Sequence, residues 1–343
     1  MKHCLIHIGY PKTGTTSLQE NLFLPLSRDN KINYIGHALA DSRFTKSRSS
    51  FVQQILLGDI NPGMHHCLAR TNGSACEKMF DPLRFISGSE PVLSGLITDK
   101  LINVISFETL LMPFRSVVAP EELPERVKSA FDDGDTQFTI VCTLRPQIDL
   151  MESFYAEKAR FMFRQICDDI SRVFFEQDGH TLRANSQYVR VFNFHHQLNA
   201  WADVFGQSRL RLFLYSEIGR CPSAFRDFWA GELSISPDRV ERALSAATRK
   251  RHLEKSRDRR IVRMSLEEAM LASPFWRRVL RSDQNTLPKA VAAILRRVKI
   301  NRAVSAFSAK QKYAVTDFFR DSNTRCAHEF NLDLHSMKRD GYL

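Results

Sequence analysis

One lysine, four aliphatic hydroxyls and two glycines fall within nine residues near the start of the chain, between Gly9 and Ser17. Lys12 brings a mobile positive charge. Thr13, Thr15, Thr16 and Ser17 bring short hydroxyl donors. Gly9 and Gly14 allow close or left-handed backbone paths that side chains resist. Such a set can hold an anion where the first amides of a helix point outward without internal acceptors. A second set lies far along the chain. Arg145 and Ser153 stand eight positions apart, and a guanidinium can grip a phosphate through paired hydrogen bonds that lysine cannot match. A third candidate is Glu108, whose carboxylate could take a proton from a hydroxyl.

Three strands are needed to bring these groups together. Cys4 to Ile8 is an apolar run that predicts a buried strand leading into the first set. Leu18, Leu22 and Phe23 then form the apolar stripe of a helix that docks on a sheet. Phe138 to Leu144 predicts a second strand, ending in Arg145-Pro146. The proline disfavours helix at Arg145 and suits the first turn of a new helix. That helix is expected to run through Met151, Phe154 and Tyr155, with Ser153 on a face that looks back to the same crevice. Leu101 to Ser106 predicts a third strand, which delivers Phe107-Glu108 at its tip. Open α/β sheets bind ligands at the carboxyl ends of their strands. Further on, Leu198, Trp201, Val204 and Phe205 mark a helix and Arg209 to Tyr215 a strand. Ser216-Glu217 should end that strand, and Phe225, Phe228 and Trp229 mark the next helical face. The alternation predicts an α/β fold with a mostly parallel central sheet flanked by helices.

The first set departs from the common nucleotide-triphosphate loop. That loop reads Gly-x-x-x-x-Gly-Lys-Ser/Thr, whereas here Lys12 precedes the second glycine and Thr15 follows it. Pro11-Lys12-Thr13-Gly14-Thr15-Thr16-Ser17-Leu18 instead resembles the 5'-phosphosulfate loop of sulfotransferases that use 3'-phosphoadenosine 5'-phosphosulfate. The likeness is greatest to bacterial relatives of the carbohydrate sulfotransferases. Leu144-Arg145-Pro146 through Ser153-Phe154-Tyr155 resembles the family's 3'-phosphate element. Ser106-Phe107-Glu108 is similar to the site where its carbohydrate and protein-tyrosine branches place a glutamate base. The resemblance covers roughly residues 3 to 230 in pieces.

That resemblance implies a P-loop-like sulfotransferase fold with helical insertions, and a definite set of roles. Lys12 would bridge the leaving phosphate oxygen and the sulfuryl group. Thr13, Gly14, Thr15, Thr16 and Ser17 would hold the 5'-phosphate, and Arg145 and Ser153 the 3'-phosphate. Glu108 would be the base, and the desulfated 3'-phosphoadenosine 5'-phosphate would be the product. The scheme requires no metal, and the chain shows no zinc-type Cys/His cluster or calcium-loop pattern. A carbohydrate, glycolipid or other hydroxyl compound would be the acceptor. His7 is a weaker base candidate than Glu108 and reads better as a structural histidine inside the first strand. His195 and His196, in an aromatic helical stretch, could line the acceptor pocket but read better as packing residues.

At 343 residues with a formal net charge of +11, the chain can bury a large core and attract anions. The expectation is a single domain over 1–343 with three additions. These are an irregular insertion at about 59–99, a helical insertion at about 156–195 and a basic helical region at about 249–300. The last holds fifteen Lys/Arg against five Asp/Glu. That charge suits a doubly phosphorylated nucleotide or a polyanionic glycan. It also suits nucleic acid or an anionic membrane surface, although no zinc-finger spacing or aromatic RNA motif accompanies it. An amphipathic C-terminal stretch, anchored by Tyr313, Phe318, Phe319, Phe330, Leu332 and Leu334, is expected to pack on the core. Seven scattered cysteines predict no disulfide framework, with Cys4 and Cys142 buried and reduced. No signal-peptide core or 18-residue apolar span is present. A cytoplasmic protein is therefore expected, with peripheral attachment to the inner membrane face open to it. Two other function classes compete: an ATP-dependent phosphoryl-transfer enzyme, and a non-catalytic anion- or nucleic-acid-binding module. Oligomeric state is not legible.

Overall fold

The computed structural model describes residues 1–10, 12–35, 97–106, 110–111, 120–162, 169–245, 259–265, 294–295 and 297–343. Pro11, Glu108, Cys67 and Cys76 lie outside the described residues, as do most of 59–99 and much of 249–300. The chain folds as two compact units. One comprises Met1–Arg145, Asn193–Arg251 and Ser322–Asp340; the other comprises Pro146–Phe192, His252–Asp321 and Gly341–Leu343.

The first unit is built on a five-stranded sheet in the order β2-β3-β1-β4-β5, and every pairing is parallel. The strands are β1 (Lys2–His7), β2 (Ile32–Tyr34), β3 (Ile102–Ser106), β4 (Thr136–Leu144) and β5 (Leu210–Leu214). Seven consecutive residues of β4, Phe138 to Leu144, are buried. A parallel sheet covered by helices produces this near-continuous apolar run. The expected strands and the mostly parallel sheet are thus present. The sequence did not reveal β2, and a short helix (Tyr215–Arg220) begins where β5 was expected simply to end.

Chain order and spatial order part company at β1. The chain leaves β1 for β2 on one side of the sheet, and leaves β4 for β5 on the other. The adjacent ends of β1 and β4 therefore flank a switch point, the place where open α/β sheets form a ligand crevice. In register, His7 lies opposite Ser106 of β3 and Val141 of β4. β1 then continues into the loop with a bond from Ile8 N to Val141 O at 2.9 Å.

The helical run after that loop has three parts: α-helix Thr15–Leu18, a π-helical turn Gln19–Phe23, and α-helix Leu24–Arg28. Its Leu18, Leu22 and Phe23 pack into a core with Leu5, Val141 and Trp229. Trp229, on the Pro222–Leu233 helix, meets Phe23 edge-on at 5.2 Å and the His7 ring at 5.7 Å. Cys4 and Cys142 are buried and free, and burial pushes both thiols upward.

The second unit contains the Gln147–Met162 helix that the sequence predicted after Arg145-Pro146. Leu150, Met151, Phe154 and Tyr155 are its buried face. Phe192 meets both Phe154 and Phe174, and Phe174 and Phe175 meet Phe307. The buried Glu152 carboxylate accepts from Phe307 N at 2.9 Å. Part of the region expected to be basic helix is instead an antiparallel pair, β6 (Arg259–Ser265) with β7 (Lys299–Ser305). The Arg259–Met264 run is rich in β-branched and charged residues, and its partner lies nearly forty residues on, beyond the reach of local periodicity.

The C-terminal helices span Ala309–Glu329 and Leu334–Arg339. Of the expected anchors, Phe319 is buried, but Tyr313, Phe318 and Leu334 are exposed; Val315, Cys326 and Ala327 are buried instead. No helix among the described residues is long and apolar enough to cross a membrane.

Trp229 joins the loop helix to the sheet, so its loss should leave a large cavity. Trp229→Ala is expected to reduce stability by about 3–5 kcal/mol, measured by denaturant unfolding.

Candidate functional site

The loop after β1 is shaped by three backbone constraints. At Gly9 the strand exit passes so near the helix start that a Cβ would sit 2.5 Å from Thr15 Cγ2 and 3.1 Å from His7 Nε2. Lys12 adopts a φ of 70° and Gly14 one of 85°. The left-handed region is natural for glycine and costs other residues of order 1–2 kcal/mol. The loop is fastened from within: Thr13 donates through its amide (3.3 Å) and its hydroxyl (2.6 Å) to Tyr10 O. The Thr13 hydroxyl is thereby committed to the loop itself.

The helix begins with a bond from Leu18 N to Gly14 O at 3.0 Å. Residues 15–17 precede that bond, in the turn whose amides and dipole favour an anion. Thr15 is buried, Thr16 half-buried and Ser17 exposed, with Ser17 Oγ accepting from Asn21 Nδ2 at 3.1 Å. Lys12 is exposed at the loop's outer edge.

Arg145 leaves the end of β4 and turns toward this loop. Its Nη1 donates to Lys12 O at 2.9 Å, across 133 positions of sequence. The guanidinium is 4 % exposed and lies 5.0 Å from the centre of the Tyr215 ring. Tyr215 stands just past the carboxyl end of β5, and its ring edge would lie 3.8 Å from a Cβ at Gly14. The Lys12 carbonyl and the Arg145 guanidinium, from residues that the sequence assigned to opposite ends of one ligand, thus meet beside the Tyr215 ring. Sequence reasoning missed Tyr215 as a site residue. Its place at a strand's carboxyl end was the available signal.

Ser153 is buried on the Gln147–Met162 helix of the other unit. Glu108 lies outside the described residues, two positions past Ser106, the last residue of β3. His195 and His196 both pair with carboxylates: His195 Nε2 lies 2.9 Å from Glu329 Oε1, and His196 Nε2 lies 2.7 Å from Glu121 Oε1.

His7 is fully buried beneath the loop, with Nδ1 2.9 Å from Ser106 Oγ. Burial pushes its pKa from 6.5 down to about 3. A buried ring that favours its neutral form suits a structural role.

No protein-family model and no curated protein matches the chain. Similar solved structures include a sulfotransferase from Alicyclobacillus acidocaldarius, at 13% identity and a TM-score of 0.47, covering 97% of this chain and 98% of that one. The sulfotransferase domain of the Synechococcus PCC 7002 olefin synthase is similar at 13% identity and a TM-score of 0.33, covering 84% and 96%. Retinol dehydratase, solved with androsterone and inactive cofactor PAP, is similar at 13% identity and a TM-score of 0.29, covering 71% and 63%.

Two outcomes follow from the geometry. Gly9→Ala should displace the helix start and reduce stability by about 1–3 kcal/mol in denaturant unfolding. His7 should also set part of the acid response. Between pH 6.5 and 3 the unfolded chain takes up a proton that the native chain refuses. This contribution is complete above 6.5, and stability falls as pH drops toward 3, by about 1.4 kcal/mol per pH unit for one proton. Denaturant unfolding across that window should show a shallower slope for His7→Asn.

Proposed function

We propose that this protein is an enzyme that transfers a sulfuryl group from 3'-phosphoadenosine 5'-phosphosulfate to a hydroxyl acceptor, specifically a carbohydrate or glycolipid. The observation that carries the proposal is the bond from Arg145 to the Lys12 carbonyl. That bond sets a guanidinium suited to gripping phosphate beside a loop suited to holding one, at the switch point of the sheet, which supports the reading. A mononucleotide with one phosphate would need only the loop. An adenosine carrier with phosphates at two positions suits both.

The residues present suit this donor. The close backbone approach at Gly9 and the helix start at 15–17 fit a 5'-phosphate, and the Tyr215 ring offers a flat apolar face beside Arg145. On sequence, Ser153 shares the 3'-phosphate with Arg145. The donor supplies a sulfur–oxygen bond whose phosphate side leaves. As that bond breaks, negative charge grows on the departing oxygen, and Lys12 with the helix amides would stabilise it. The acceptor oxygen forms the new bond to sulfur from the opposite side, and its proton passes to Glu108. The position of Lys12 before Gly14 speaks against ATP-dependent phosphoryl transfer, where the lysine opens the helix and the next hydroxyl holds magnesium. The surplus of Lys and Arg supports an anionic or lipid-borne acceptor.

Radiolabelled donor incubated with glycan and glycolipid acceptors should pass label to a hydroxyl. Metal-dependent ATP turnover without affinity for 3'-phosphoadenosine 5'-phosphate would contradict the proposal. Lys12→Ala should lower transfer by about 10²-fold or more while the fold persists by circular dichroism. Arg145→Ala should weaken 3'-phosphoadenosine 5'-phosphate far more than adenosine 5'-phosphosulfate; equal losses would remove Arg145 from the 3'-phosphate. Glu108→Gln should keep donor affinity and lose about 10²–10⁴-fold in transfer rate.

A further inference from the structure

Beneath the loop, three polar side chains from three elements form one buried chain of hydrogen bonds. His7 is the last residue of β1, Ser106 the last of β3, and Gln19 the first of the π-helical turn. They are 0%, 0% and 3% exposed. Gln19 Nε2 donates to Ser106 O and to Ser106 Oγ, each at 3.1 Å. Ser106 Oγ lies 2.9 Å from His7 Nδ1. Which of Oγ and Nδ1 donates in that bond follows the tautomer of the ring. His7 Nε2 has no hydrogen-bond partner among the described residues and lies 3.1 Å from where a Cβ at Gly9 would stand.

Packing alone does not call for this arrangement. The surrounding residues are Phe23, Trp229 and other apolar groups, and an apolar trio would fill the space without desolvating polar atoms. What hydrogen bonds add is a fixed register. The π turn has the same effect: Leu24 N bonds to Gln19 O, five residues back, which shifts the helical phase at the residue that reaches Ser106. Such insertions recur at functional sites.

We propose that His7, Ser106 and Gln19 are positioning residues that lock the phosphate loop and its outgoing helix to the ends of β1 and β3. None of them touches the ligand. They act through the loop, by holding the amides of 15–17 and Lys12 on target. The proposal rests on the nucleotide-binding reading given above.

The test measures binding of 3'-phosphoadenosine 5'-phosphate to the full chain by calorimetry, beside the thermal midpoint. Gln19→Met keeps the side-chain volume and cannot bond; Ser106→Ala removes the hydroxyl; Ser106→Thr keeps it. Gln19→Met and Ser106→Ala should each weaken the nucleotide by about tenfold or more in protein that is folded at the assay temperature. Ser106→Thr should bind within about threefold of the parent, an effect under 1 kcal/mol.

Asn103 provides the contrast. It lies near the opposite end of β3, where it donates to His3 O at 2.9 Å and Thr98 O at 2.8 Å and accepts from Asn33 at 2.7 Å. Asn103→Ala should lower the midpoint and leave the affinity of the folded protein intact. If Ser106→Ala does not fold, Gln19→Met decides the matter. Parent-like affinity in Gln19→Met overturns this inference alone. A parent chain that does not bind the nucleotide overturns the functional proposal and this inference with it.

Discussion

A guanidinium buried at the end of β4 donates a hydrogen bond to the backbone of the loop that leaves β1. Most of the site's organisation depends on that contact. Parallel pairing brings the two strand ends together, and the reversal of strand order opens the space between their exits. The left-handed backbone at Lys12 turns its carbonyl to meet Arg145 Nη1. A charge buried this far is tolerable only with partners, and the loop carbonyl and the Tyr215 face supply them.

The loop is held from below as well. Gly9 lets the strand exit press against Thr15, and Thr13 spends its hydroxyl on Tyr10 O. Beneath it, the neutral His7 ring, Ser106 and Gln19 form a polar seam inside an otherwise aromatic core. Chemistry at the crevice and packing under it are therefore one structural problem. The loop is tied from within by Thr13 and from neighbouring elements by Arg145.

Much of this was legible in the sequence. The apolar runs at 4–8, 101–106, 138–144 and 209–215 each became a parallel strand within two residues of the expected limits. Long buried strands announce themselves because both faces are apolar. The strand-end positions of the Lys12 loop and Arg145 were legible because each follows a long apolar run. Other features were hidden for physical reasons. β2 is only three residues long, too short to show a period. β6 and β7 pair across a separation that no local pattern encodes. Gln19 looks like an ordinary polar helical residue, and only the π turn and the register of β3 reveal its partner. Tyr215 looked like the tail of a strand, whereas it opens a helix and walls the crevice. Glu108 and Ser153 remain assignments from sequence, the first outside the described residues and the second in the other compact unit.

The central claim is that one crevice receives both phosphorylated ends of an adenosine carrier. A crystal structure of the protein with 3'-phosphoadenosine 5'-phosphate tests it most directly. The account predicts the 5'-phosphate on the amides of residues 15–17 beside Lys12, with the 3'-phosphate against the Arg145 guanidinium. A nucleotide bound with either phosphate elsewhere, or with Arg145 turned away from it, would contradict the account.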